Sequence, residues 1–152
     1  MALIALTSSD RGQTIHFMNI ENIVQNEDSI DFIILDRLKT TKKIHKPKVI
    51  KCISSDIDGL NVKNYVSAYM ERTLPLSLEM VEQNHVKPTQ LFLSWATKQP
   101  VTRPTLTRWL KTCLKMAGIN TDQFSGHSFR GAGLSCAYNN GASLSQIVSH
   151  GD

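Results

Sequence analysis

Ser-Gly-His-Ser-Phe-Arg-Gly-Ala-Gly-Leu-Ser-Cys-Ala-Tyr-Asn, residues 125–139, is the stretch on which the reading of this chain turns. Ser125 and Ser128 are hydroxyls suited to capping a helix start, and Asn139-Asn140-Gly141 is a turn signal. The pattern predicts one short helix. Gly131, Ala132, Gly133, Ser135 and Ala137 keep it slim, which lets another element pack closely. His127 and Arg130 lie three apart at its opening and so project from nearly one face. The free N–H groups and the positive dipole end of a helix start suit an anion such as phosphate. An imidazole that moves protons and a guanidinium that forks onto phosphate oxygens would share one corner. Taken alone, His-x-x-Arg at a helix start is more often a solvated cap, so its meaning depends on partners elsewhere.

Immediately upstream is the clearest helical pattern in the chain. Leu106, Trp109, Leu110, Cys113, Leu114 and Ala117 recur at helical spacing over 102–116, with Pro104 in the first turn and Gly118 as the stop. The remaining positions and the start carry Arg103, Arg108, Lys111 and Lys115 with no acid between them. A basic helix face is commonly just solvated; one without any acid leans toward DNA. Downstream, Ser143 is placed to cap a last helix from Leu144, and the chain stops soon afterwards at Asp152. That helix is expected to be cut short.

The other half is strand-rich. Residues 30–37 and 48–53 have strand length and β-branched or alternating character, and 22–25 completes an expected three-stranded antiparallel sheet. Between the last two strands, residues 37–51 hold seven cations, at 37, 39, 42, 43, 46, 48 and 51, and no acid. Such a run is often a solvated hairpin tip; its concentration here favours contact with a phosphate backbone. The pattern at 61–72, Val62, Tyr65, Val66, Tyr69 and Met70, predicts a core-facing helix entered at Asp58-Gly59 and stopped by Pro75. Residues 74–90 read as a connector with a short helix at 77–84, and 91–94 as a short strand. At the beginning, 2–9 and 11–18 read as two short helices with a bend near Ser8-Ser9, and Arg11 falls at that bend.

Composition sets bounds on partners. The chain has 152 residues, 41% apolar and 20% charged, with a formal net charge of +4, which permits a polyanionic partner without demanding one. Cys52, Cys113 and Cys136 are scattered and odd in number, so neither a disulfide framework nor a zinc site is expected, and an intracellular, reducing compartment is. Cys113 reads as an inert core thiol. The apolar opening is six residues long, too short for a membrane span.

Three separated features now stand in order: Arg11 at a helix bend, Lys39 on a hairpin, and His127-x-x-Arg130 at a helix start. In that order, with their flanking phrases and the phrase at 106–119, they resemble the catalytic domain of tyrosine recombinases, the phage-integrase family. The closest look is to the eukaryotic, transposon-derived branch related to DIRS and Crypton elements. The resemblance covers essentially the whole chain. It implies an α+β, mostly helical domain with a small three-stranded antiparallel sheet. It also implies DNA recombination or integration by strand cleavage and rejoining through a 3′-phosphotyrosyl intermediate, without metal or cofactor.

Carried over residue by residue, the resemblance gives Arg11 and Arg130 the scissile phosphate. It gives Lys39 the departing 5′ oxygen, with Lys42 and Lys43 as rivals, and gives His127 proton handling. Lys42, Lys43, Lys46, Arg103 and Arg108 are the expected contacts to double-stranded DNA. The family's nucleophilic tyrosine lies beyond the pattern matched by Ser149-His150-Gly151-Asp152, and Tyr138 does not match it. The chain is therefore expected to be an incomplete catalytic domain, without the N-terminal core-binding domain or the nucleophile helix. A homo-oligomer on DNA is expected of a full-length protein, and a nuclear location if it is eukaryotic. The alternative expectation is a domesticated DNA-binding module that never cuts.

Overall fold

The computed structural model describes residues 1–36, 47–57, 59–84 and 88–151. Its contacts divide these residues into two compact units. Residues 16–36 and 47–102 form one; residues 1–15 and 103–151 form the other.

The first unit is organised by a three-stranded antiparallel sheet, order β1-β2-β3, from Ile23–Gln25, Ser29–Ile34 and Lys48–Ile53. Its register pairs Ile30 with Cys52 and Phe32 with Ile50. Period-two geometry then puts Ile30, Phe32, Ile34, Ile50 and Cys52 on one buried face, while Val49, Lys51 and Ile53 face outward. β2 ends at Ile34, short of the expected Arg37, which lies outside the described residues. A two-stranded ribbon, β4 (Leu93–Ser94) with β5 (Gln99–Pro100), adds a pairing that the sequence pattern did not signal beyond its first strand. Lys98, at φ +50°, makes the turn and pairs with Glu79 at 2.5 Å.

The long helix of this unit overturns one expectation. The third helix in the chain runs unbroken over Val62–Asn84, with Pro75 inside it rather than at its end. A mid-helix proline forfeits one backbone bond and crowds the carbonyl four residues back, at a cost of about 3 kcal/mol. Here Val62, Val66, Thr73, Leu76 and Met80 are buried along one continuous stripe, and Leu76 and Met80 cluster with Leu93. Burial of Leu76 and Met80 beyond the proline matches or exceeds that cost, at about 1.5–3 kcal/mol per apolar side chain. The helix opens at Asn61, whose Oδ1 accepts the Asn64 N–H at 3.2 Å. Asp58, expected at this opening, lies outside the described residues. Tyr65 was expected in the core and is instead exposed, its position falling outside the buried stripe.

The second unit is helical. The first helix, α1, spans Ala2–Ser8 and stops where Ser9 takes a left-handed conformation, φ 52°. A five-residue helix, Gly12–His16, begins in this unit, its first backbone bonds running from Thr14 and Ile15 N–H to the Arg11 carbonyl. The remaining helices are α4 (Arg103–Met116), α5 (Ser128–Asn139) and α6 (Leu144–Gly151), with Val62–Asn84 counted as α3 and Gly12–His16 as α2. Leu106, Leu110 and Leu114 of α4 are buried as the periodicity predicted, whereas Cys113 is only half-buried. Gly118, at φ +73°, ends α4, and the Ile119 N–H reaches back to the Leu114 carbonyl. Ser143 and Gln146 close α6 reciprocally. The Gln146 N–H donates to Ser143 Oγ at 3.2 Å, and the Ser143 N–H donates to Gln146 Oε1 at 2.9 Å.

Candidate active site

α5 starts three residues later than Ser125, because the two serines close a turn ahead of it. The Ser128 N–H donates to the Ser125 carbonyl at 2.9 Å. Ser125 Oγ accepts the His127 N–H at 3.3 Å, and Ser128 Oγ accepts the Ser125 N–H at 3.0 Å. His127 sits at the junction with helical dihedrals, φ −71° and ψ −22°, and is exposed. Its carbonyl accepts the Arg130 N–H at 3.1 Å, so one helical turn separates the imidazole from the half-buried Arg130.

What α5 packs against decides whether Arg11 is near. Gly133 lies one turn beyond Arg130 on the same stripe. A Cβ built there would collide with Ser9 Oγ and lie 2.5 Å from the Leu6 carbonyl oxygen. Only a glycine lets α1 and α5 approach this closely at that point. Ser9 is followed two residues later by Arg11, which is half-buried, and by way of Asp10, which is buried. The Asp10 N–H donates to Ser8 Oγ at 3.2 Å. The segment bearing Arg11 and the turn of helix bearing Arg130 are thus both tied to one contact. This is the part of the site that the slimness of α5 foreshadowed; that its partner would be Ser9 carried no sequence signal.

The rest of the expected set is less gathered. Arg103 and Arg108 are both exposed on α4, five positions apart and so about 140° apart around it. Lys39, Lys42, Lys43 and Lys46 lie outside the described residues. Tyr138 is exposed near the far end of α5, eight residues beyond Arg130 and so about 12 Å further along the axis. Tyr69, in the other unit, donates to the Leu93 carbonyl at 3.3 Å and accepts the Leu93 N–H at 2.9 Å. Burial pushes its phenol above the ordinary range, and the bond to Leu93 pulls the other way.

Comparison of the whole fold with solved structures is decisive for architecture. The XerA recombinase superposes with a TM-score of 0.65 at 16% identity, over 99% of this chain and 45% of that one. The chain has the tyrosine-recombinase catalytic fold. The XerH site-specific recombinase, in a pre-cleavage complex with its difH substrate, gives a TM-score of 0.63 at 15% identity over 99% of this chain and 38% of that one. Its post-cleavage complex with a palindromic difH substrate gives 0.62 at 15% identity, over 96% and 36%. The chain spans less than half the length of each of these recombinases. No protein-family model matches the sequence, and no curated protein matches it. Among the described residues no three His, Cys, Asp or Glu side chains gather as a metal-holding group. No described helix is long and apolar enough to cross a membrane.

Proposed function

We propose that this chain supplies the phosphate-activating residues of a DNA strand transferase that cuts and rejoins one strand through a 3′-phosphotyrosyl intermediate. The observation that carries the reading is the glycine-mediated contact of Ser9 with α5, which ties the Arg11 and Arg130 segments together on a recombinase fold. In this reading Arg11 and Arg130 hold the two non-bridging oxygens of the scissile phosphate. Charge placed where charge develops in the transition state is the largest catalytic lever, and a planar fork suits it better than a point charge. A tyrosine oxygen attacks phosphorus while the bond to the 5′ oxygen breaks. Lys39 gives the departing oxygen its proton, with Lys42 and Lys43 as alternatives, and His127 handles the proton of the nucleophile. Metal and cofactor have no part in this scheme. Lys42, Lys43, Lys46, Arg103 and Arg108 would meet the duplex backbone, and copies of the full protein would assemble on DNA. The transposon-derived branch and a nuclear location belong to the same proposal.

The nucleophile is assigned to no residue of this chain. Tyr138 stands about two turns of helix beyond Arg130, and the Tyr69 hydroxyl is occupied by Leu93. A second reading is a DNA-binding module that does not cut. A nicked duplex that traps covalent intermediates tests the assignment. The chain by itself should leave no protein–DNA band on a denaturing gel; a band mapping to Tyr138 would overturn the placement of the site.

A further inference from the structure

β3 is an edge strand, and the phase of its ladder fixes which of its residues face the open side. The Ser54 N–H donates to the Asp28 carbonyl at 2.7 Å, just past the Ser29–Ile53 end of the β2–β3 ladder. Bonded and non-bonded pairs alternate along an antiparallel ladder, so Lys48, Ile50 and Cys52 turn their backbone groups towards β2. The Asn26 N–H, donating to the Ser29 carbonyl at 2.9 Å, has the same phase and commits the odd positions of β2 to β1. Val49, Lys51 and Ile53 therefore turn their N–H and C=O to the other side of β3, where no strand adjoins it among the described residues. Their side chains share the outward face, Val49 56% and Ile53 67% exposed, with Lys51 exposed between them. Lys51 opposes Asp31 across the ladder, yet no ion pair joins them, and Asp31 Oδ2 accepts the Asn26 side-chain amide at 3.2 Å.

We infer that the open edge of β3 takes an extended acidic polypeptide segment as a fourth antiparallel strand. The occupant sets a Glu or Asp opposite Lys51 and β-branched residues opposite Val49 and Ile53, an apolar-x-acid-x-apolar pattern. Charge and shape select it together. The strand carries two cations, Lys48 and Lys51, and no acid. Its outward N–H and C=O groups supply main-chain bonds, and the alternate side chains supply specificity. A second copy fits poorly: an antiparallel self-pairing centred on the strand sets Lys51 against another Lys51, Val49 or Ile53. Lysine on an edge guards against such self-pairing, and an acidic strand is the partner it leaves. The inference concerns a protein partner and stands apart from the DNA reading.

The test adds the peptide Ac-Ser-Val-Thr-Glu-Thr-Val-Ser-NH2 to the full chain and follows amide hydrogen exchange by NMR. Saturating peptide should slow exchange at Val49, Lys51 and Ile53 and leave Ile50 and Cys52, already turned to β2, unchanged. Lys51→Glu should weaken binding about tenfold and gain affinity for the peptide carrying Lys in place of Glu. Methylating the peptide's Glu amide nitrogen removes a main-chain bond without touching the protein, and should abolish binding whether or not the variant folds. If the peptide slows none of the three amides, or binds as well when methylated, the edge is not its site and the inference fails. Polyglutamate competing as well as the patterned peptide would reduce the contact to bulk charge and overturn it too. If the three amides are already slow in the free chain and speed up on dilution, a second copy fills the edge and the inference fails.

Discussion

β2 and α5 are built on opposite plans. Of the six residues of β2, Ser29, Ile30, Phe32 and Ile34 are buried, and β1 and β3 flank it on both sides. Of the twelve residues of α5, only Phe129 is buried, and the helix is fixed through a glycine, a serine hydroxyl and a backbone carbonyl. The difference separates two tasks. Large apolar side chains buried against a register supply stability; the slim helix is held by a close contact, and its opening carries the exposed His127 and the half-buried Arg130. Sites that must admit a ligand are drawn from the less buried parts of a fold.

One pair of substitutions breaks or sharpens that contrast. Phe32→Ala should cost about 3–5 kcal/mol in a denaturant melt, through lost transfer and the cavity left behind. Gly133→Ala should cost less, about 1–2 kcal/mol, because helix propensity improves while the new Cβ drives Ser9 and Leu6 away. Its distinguishing effect should be a weaker response to phosphate-like anions. Equal costs, with no such effect from Gly133→Ala, would dissolve the distinction between the two plans.

A smaller effect is expected at Tyr69. Tyr69→Phe removes both bonds to Leu93 and should cost about 1–2 kcal/mol near neutral pH. The sign of its pH dependence follows from the raised phenol. With the native value above the unfolded one of about 10, the group's stabilisation is complete below pH ~10 and is lost as pH climbs through the native value. Alkaline melts should therefore show the gap between wild type and Tyr69→Phe closing above pH ~10. A constant gap would mean that the phenol is not held neutral by burial.

The elements that could be read from sequence were those with a strong period. The alternation of β3 and the Leu106, Leu110, Leu114 stripe of α4 repeat at the spacing of their own backbone, so local pattern and burial agree. The reciprocal Ser143–Gln146 cap was legible in its serine for the same local reason. Pro75 misled because its cost is local, whereas Leu76 and Met80 gain their burial from segments distant in sequence. The β4–β5 ribbon was half missed because two-residue strands turned by a left-handed Lys98 contain no period at all. Within the candidate site, Arg11, His127 and Arg130 are proposed from their order and flanking phrases, and the fold alone assigns them no role. That Ser9 would meet Gly133 could not be read, since small residues announce a close approach without naming the partner.

The central claim is that Arg11 and Arg130 serve one phosphate. Its most direct measurement is the melting temperature of the wild type, Arg11→Ala and Arg130→Ala in a sulfate series. An anion that binds only the native state raises the melting point by linkage. The wild type should rise with sulfate, and each variant should lose most of that rise while keeping stability without sulfate within about 1 kcal/mol. An equal rise in all three proteins would mean that the two arginines do not share an anion, and would contradict the account.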